Sequence, residues 1–155
     1  MKYLLFEGSS NVGKTSAIIR MANKLVSRYG YNCIGTIPTS GCNCDFKAVL
    51  ERTLENGDTH RILVNSASDT PKIIDAFKDY ASCNGPYNMI ISSCREEDFL
   101  YNYFCKTFSI SNEDIVLEIP MAKINHKNES LKQKGMKWYK DKIDHLADVL
   151  FGCLK

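Results

Sequence analysis

Gly8-Ser9-Ser10-Asn11-Val12-Gly13-Lys14-Thr15 fits the pattern G-x-x-x-x-G-K-[ST] at every fixed position. Ahead of it, Tyr3-Leu4-Leu5-Phe6 is a short apolar run with strand character. Behind it, Ile18, Met21, Ala22, Leu25, Val26 and Tyr29 recur at helical spacing, and Gly30 follows as a stop. The stretch therefore reads as a strand-to-helix turn. Gly8 and Gly13 permit positive φ and close backbone approach, so successive N–H groups can curl around phosphates. A helix starting near Lys14 adds a partial charge of about +0.5 at its first turn. Lys14 is placed to reach the β and γ phosphates of a nucleotide, and the Thr15 hydroxyl to ligate the Mg²⁺ that bridges them. Gly8, Ser9, Ser10, Asn11, Val12, Gly13, Lys14, Thr15 and Ser16 form the candidate phosphate-binding set. The competing reading is a glycine-rich turn without a ligand.

The segment resembles the Walker A motif of the P-loop NTPases, over residues 3 to about 30. The resemblance implies an α/β sandwich that binds ATP or GTP with Mg²⁺. It leaves the reaction open, because that superfamily holds kinases, ATPases, GTPases and switches alike.

At 155 residues the chain reads as one domain, with enough apolar sequence for a sizeable core. The 44% hydrophobic and 25% charged fractions are those of an ordinary soluble protein, and a net charge of +2 favours no polyanionic partner overall. The first apolar run stops at Glu7, too short for a signal peptide or a membrane span, so the expected location is cytoplasmic and no membrane partner is expected. Seven cysteines in odd number and irregular spacing, without an export signal, are expected to be free thiols. Cys42-x-Cys44 is half of a zinc pattern at most, for lack of a second close pair.

Along the chain, Cys33 to Ile37 reads as a second strand stopped by Pro38, which would pair in parallel with the first after a right-handed crossover. Thr39 to Asp45 forms a loop leaving the sheet near the nucleotide side, either a flap or a plain connection. Residues 46–65 alternate and carry Asn56-Gly57-Asp58, which predicts an antiparallel hairpin. This layout resembles small GTPases more than simple nucleotide kinases, yet no D-x-x-G follows and no N-K-x-D appears, so ATP is favoured over GTP.

Three further positions bear on chemistry. Asp69, beyond the second hairpin strand, is the candidate outer ligand of Mg²⁺; alternatively Asp69 or Thr70 caps a helix from Pro71 whose buried face is Ile73, Ile74, Phe77 and Tyr80. Asp45 is a second, weaker metal candidate. Asn88 to Ile91 reads as a strand, and Ser93 with Glu96 has capping-box spacing for a helix burying Phe99, Leu100, Tyr103 and Phe104. Arg95 there either stabilises charge on a γ-phosphate or lies solvated beside Glu97. Lys14, Asp69 and Arg95 are thus the candidate catalytic residues, with Thr15 and Asp69 on the metal. Cys94 reads as a buried thiol rather than a nucleophile.

Ile115 to Ile119 reads as the last strand. Seven lysines between Lys123 and Lys142, with Trp138 and Tyr139 among them, mark either a solvated basic face or a contact for nucleic acid. His126 and His145 are assigned no site. Ile143, Leu146, Ala147, Leu150, Phe151 and Leu154 predict a helix covering one sheet face. The expected fold is a three-layer α/β sandwich, a mainly parallel sheet of about five strands extended by the hairpin. The expected function is binding of a nucleoside triphosphate with Mg²⁺ and cleavage of its γ-phosphoryl group, in an NTPase or a switch working on a protein partner. The alternatives are a kinase with a small-molecule acceptor and a binding module that does not hydrolyse.

Overall fold

The computed structural model describes residues 1–39, 41–42, 44–124 and 127–152. Because side chains alternate along a strand, β1 (Lys2–Glu7) sends Leu4 and Phe6 to one face and Tyr3 and Leu5 to the other, and all four are buried. Both faces must then be covered. On the Leu4 face lie α1 (Lys14–Tyr29) and α4 (Glu129–Phe151), packed with Ile18, Leu25, Ile143 and Phe151. On the Leu5 face lie α2 (Pro71–Cys83) and α3 (Asp98–Thr107), with Ile74, Phe77, Leu100 and Phe104.

Between them runs one six-stranded sheet, completed by β2 (Asn32–Gly35), β3 (Lys47–Thr53), β4 (Thr59–Asn65), β5 (Met89–Cys94) and β6 (Ile115–Pro120), in the order β2-β3-β4-β5-β1-β6. Strands β4, β5, β1 and β6 are mutually parallel, whereas β3 is antiparallel to both its neighbours. The α/β class, the layering of helices on both faces of the sheet and the hairpin accord with expectation. The place of β2 does not: it pairs with β3 at the far edge of the sheet, and β1 lies instead between β5 and β6. Local periodicity marks a strand but carries nothing about its neighbour. The loops that follow β1, β4 and β5 nonetheless leave the same end of the sheet, the carboxyl end where open α/β sheets bind ligands.

The helix ends follow the sequence in part. Gly30 adopts φ 69° after α1, and Tyr31 N–H reaches back to the Leu25 carbonyl at 3.2 Å. For α2 the cap is Thr70, whose Oγ1 accepts from Ile73 N–H at 3.3 Å, so Asp69 is spared that role. Its buried residues are Ile74, Phe77 and Ala81, with Tyr80 packed only partly against them. The expected Ser93–Glu96 capping box is absent. Ser93 lies inside β5, α3 begins at Asp98, and Phe99 is exposed while Leu100 and Phe104 are buried. In α4, Ile143, Ala147 and Phe151 are buried as the stripe predicts, and the helix reaches back to Glu129, so most of the lysines ride on it. Leu154 and His126 lie outside the described residues.

A polar clasp fastens α4 to α1. Arg20 holds Asp144 through Nε at 2.7 Å and Nη2 at 2.5 Å, and Lys24 and Tyr29 both reach Asp148. The cysteines depart from expectation at one pair: Cys42 and Cys44 are joined in a disulfide, which removes both as zinc ligands, whereas Cys33, Cys83, Cys94 and Cys105 are free. Cys153 is outside the described residues. No described helix is long and apolar enough to cross a membrane.

One buried polar pair makes stability depend on pH. His60 and Tyr31 are both buried, with 2.8 Å between Nδ1 and the phenol oxygen. Burial, reinforced by Lys2 and Arg52, lowers the His60 pKa from 6.5. The unfolded chain therefore binds this proton more readily, and the stability present above about pH 6.5 is lost as pH falls below it. Urea melts should show the loss, and His60→Gln should flatten it by up to about 1.4 kcal/mol per pH unit.

Candidate phosphate site

β1 ends at Glu7, whose carbonyl accepts from Met121 N–H at 2.7 Å, and the chain then turns sharply at Gly8 with φ 150°. A Cβ there would meet the Met121 carbonyl oxygen at 2.8 Å and Val12 Cγ2 at 2.9 Å, so only glycine fits between the loop and the exit of β6. Gly13 caps α1 with φ 96°, in open space. No side chain caps α1 and no acid stands in its first turn, whereas Thr70 and Asn128 cap α2 and α4. Its first amides therefore carry the helix's N-terminal partial positive charge without a side-chain cap among the described residues.

Lys14 folds back over this loop. It is 8% exposed, and Nζ donates to the carbonyls of Gly8 at 2.6 Å and Ser9 at 2.7 Å. No carboxylate lies within ion-pair distance of it among the described residues. Burial first, then the Arg95 guanidinium, pulls its pKa below 10.5, against the opposing pull of Asp69. An ammonium has three donors, of which two are engaged among the described residues, and no described carboxylate balances its charge directly.

Beside the loop is a cavity of about 360 Å³ lined by Ser10 to Ser16 together with Asp45, Ser66 and Asp69. Three expected residues, Lys14, Thr15 and Asp69, thus face one space, and Asp45 joins them. Thr15 Oγ1 is 3.5 Å from the Ser66 carbonyl, and Ser66 Oγ accepts from Phe46 N–H at 2.9 Å and lies 3.4 Å from Asp45 Oδ1. Ser66 thereby fixes the exit of the 39–45 loop against the end of β4. Arg95 does not pair with Glu97; its Nε donates to Asp69 Oδ1 at 2.6 Å, and its side chain is 17% exposed. Asp69 and Arg95, two of the three candidate catalytic residues, hold each other at the rim because β4 and β5 are parallel neighbours and the segments that follow them emerge on the same side.

Sequence reasoning missed the serines beneath this site. Ser66, Ser68, Ser92 and Ser93 are all buried, with Ser68 and Ser93 hydroxyls 3.2 Å apart and Ser92 Oγ accepting from Asn65 Nδ2 at 3.0 Å. Cys94 is buried and its pKa is pushed up to about 12 by that burial, so it stays a neutral thiol at physiological pH.

A second cavity of about 470 Å³ adjoins the first, sharing Asn11, Val12, Gly13 and Ser16. Its walls include Ala17, Met121, Ala122 and Tyr139, and Lys123 and Lys140 reach into it. Tyr139 donates to the Pro120 carbonyl at 3.2 Å, which ties α4 to the segment after β6.

The metal that the loop pattern implies can be weighed against these donors. Thr15, Asp69 and Asp45 offer hard oxygen atoms beside the loop, which suits Mg²⁺. No group of three or more His, Cys, Asp or Glu gathers among the described residues. Comparison of the chain with protein-family models, with curated proteins and with solved structures finds no match in any of the three.

Proposed function

We propose that this chain binds a nucleoside triphosphate with Mg²⁺ and cleaves its γ-phosphoryl group. The observation that carries the reading is Lys14, a buried ammonium whose hydrogen bonds among the described residues go to carbonyl oxygens alone, at the mouth of a cavity bounded by uncapped helix amides. In this reading the loop amides and Lys14 hold the phosphates, and Thr15 ligates the metal. The metal, when bound, neutralises charge on the β and γ oxygens. Asp69 holds a water of the metal shell. Arg95, released from Asp69, turns to the γ-phosphate and stabilises charge as it shifts in the transfer. The base and ribose lie in the adjoining 470 Å³ cavity, against Met121 and Tyr139.

Calorimetry with Mg²⁺ and ATP, with GTP alongside, tests the binding step. Uptake of one nucleotide per chain is expected, and none with either nucleotide sinks the reading. Labelled ATP then separates the reactions. Release of phosphate without an acceptor marks an NTPase, a phosphorylated product from a metabolite pool marks a kinase, and tight binding without turnover marks a binding module. The last reading draws on the Asp69–Arg95 pair, which in this state keeps both side chains occupied with each other.

A further inference from the structure

From the charge distribution and the exposed face of α4, we infer that this helix binds single-stranded nucleic acid, a partner independent of the nucleotide reading. Residues 123–142 hold seven lysines against Glu129 and Asp141, an excess of five positive charges in a chain of net +2, so the remaining residues are net −3. Five of these lysines, from Lys132 to Lys142, lie on α4, where only Glu129 and Asp141 oppose them, and the two later acids of the helix, Asp144 and Asp148, are paired with Arg20 and Lys24 of α1. Lys134, Lys137 and Lys142 are exposed, and no ion pair holds them among the described residues. In their midst Trp138 is 60% exposed, with the Lys142 ammonium 5.5 Å from its ring centroid. Lys134 and Lys142 stand four residues to either side of Trp138, about 6 Å each way along the helix axis. A base stacked on the indole would thus be flanked by cations on both sides for the phosphates before and after it, the combination that sequence-tolerant single-strand binders use.

An anionic membrane is the competing occupant, and the same helix face argues against it. Leu131, two turns before Trp138, is 48% exposed, yet Lys142 and His145 separate Trp138 from Val149 on that face. The apolar stripe is therefore too interrupted for a helix lying in lipid.

Trp138 is the only tryptophan of the chain, so it reports on its own surface. Titration of the full chain with a mixed-sequence oligonucleotide, followed by tryptophan emission and by anisotropy of a labelled strand, is expected to quench Trp138. For four phosphates engaged, affinity should fall roughly fiftyfold between about 50 and about 200 mM salt. Trp138→Ala should weaken binding roughly tenfold. Lys134→Glu combined with Lys142→Glu should abolish it, with melting temperatures unchanged because none of these side chains is buried. Absence of binding at low salt, or equal affinity of Trp138→Ala, overturns the inference. So does a blue shift of Trp138 on phosphatidylserine vesicles without any response to the oligonucleotide, since that result assigns the face to lipid.

Discussion

Lys14→Met is expected to abolish nucleotide-dependent stabilisation while leaving the nucleotide-free protein as stable as wild type, or more so. The two halves of this expectation have one cause. The Lys14 ammonium is buried and its pKa is lowered, first by burial and then by Arg95. A lowered pKa on a base means that the unfolded chain holds the proton more tightly. Stability rises with pH through the window that ends near the ordinary value of 10.5, and at neutral pH the charged form costs the fold. Methionine removes that cost along with two hydrogen bonds to the Gly8 and Ser9 carbonyls, and these losses oppose each other. Bound phosphate reverses the balance, because an anion beside the ammonium supplies the missing counterion.

At a nucleotide concentration about 100 times Kd, wild type should gain about 2.7 kcal/mol. For a chain of this length that is a rise in Tm of about 5 to 10 °C. The variant should gain none. Thermal melts with and without Mg²⁺ and ATP measure both halves. A variant that still responds to ATP would remove Lys14 from the phosphate site, and one that melts far below wild type would make it a structural residue.

How much of this was legible in the sequence differs between the fold and the site. The apolar run Tyr3 to Phe6, the Asn56-Gly57-Asp58 turn and the described part of the C-terminal stripe, Ile143 to Phe151, depend on neighbours within a few residues, and each appears where its spacing puts it. The order of the strands depends on contacts between distant segments, so β2 sits at an edge that no local pattern encodes. The capping box fails for a related reason. Ser93 and Glu96 have the right spacing, but β5 runs on through Ser92 and Ser93, whose hydroxyls find partners in Asn65 at the end of β4 and Ser68 just beyond it. Polar residues of that kind read as a loop until the strand beside them is known. The candidate phosphate loop, by contrast, is contiguous, and Gly8 and Gly13 take the positive φ that the reading requires. The pairing of Asp69 with Arg95, 26 residues apart, becomes readable only once β4 and β5 are known to be adjacent.

That pairing carries the second large effect. Asp69→Asn should reduce Mg²⁺-dependent turnover by about 10- to 100-fold, the cost of losing an outer-shell partner of a metal, while nucleotide binding measured without Mg²⁺ changes little. The alternative role for Asp69, capping α2, predicts a loss of stability instead. Thr70 already supplies the cap, so Thr70→Ala should cost about 1 kcal/mol of stability and Asp69→Asn much less. Arg95→Ala separates the two members of the pair. If Arg95 leaves Asp69 for the γ-phosphate during the reaction, its removal should lower turnover by about 10²- to 10³-fold, as does loss of a charge-stabilising donor elsewhere. The double variant should then be less impaired than the product of the single effects, because each single change also strands the partner that the ion pair satisfies. Strict multiplication of the two losses would mean that the residues act independently, and unchanged turnover in both would return the Asp69–Arg95 contact to the ordinary class of surface ion pairs, worth about 0 to 1 kcal/mol.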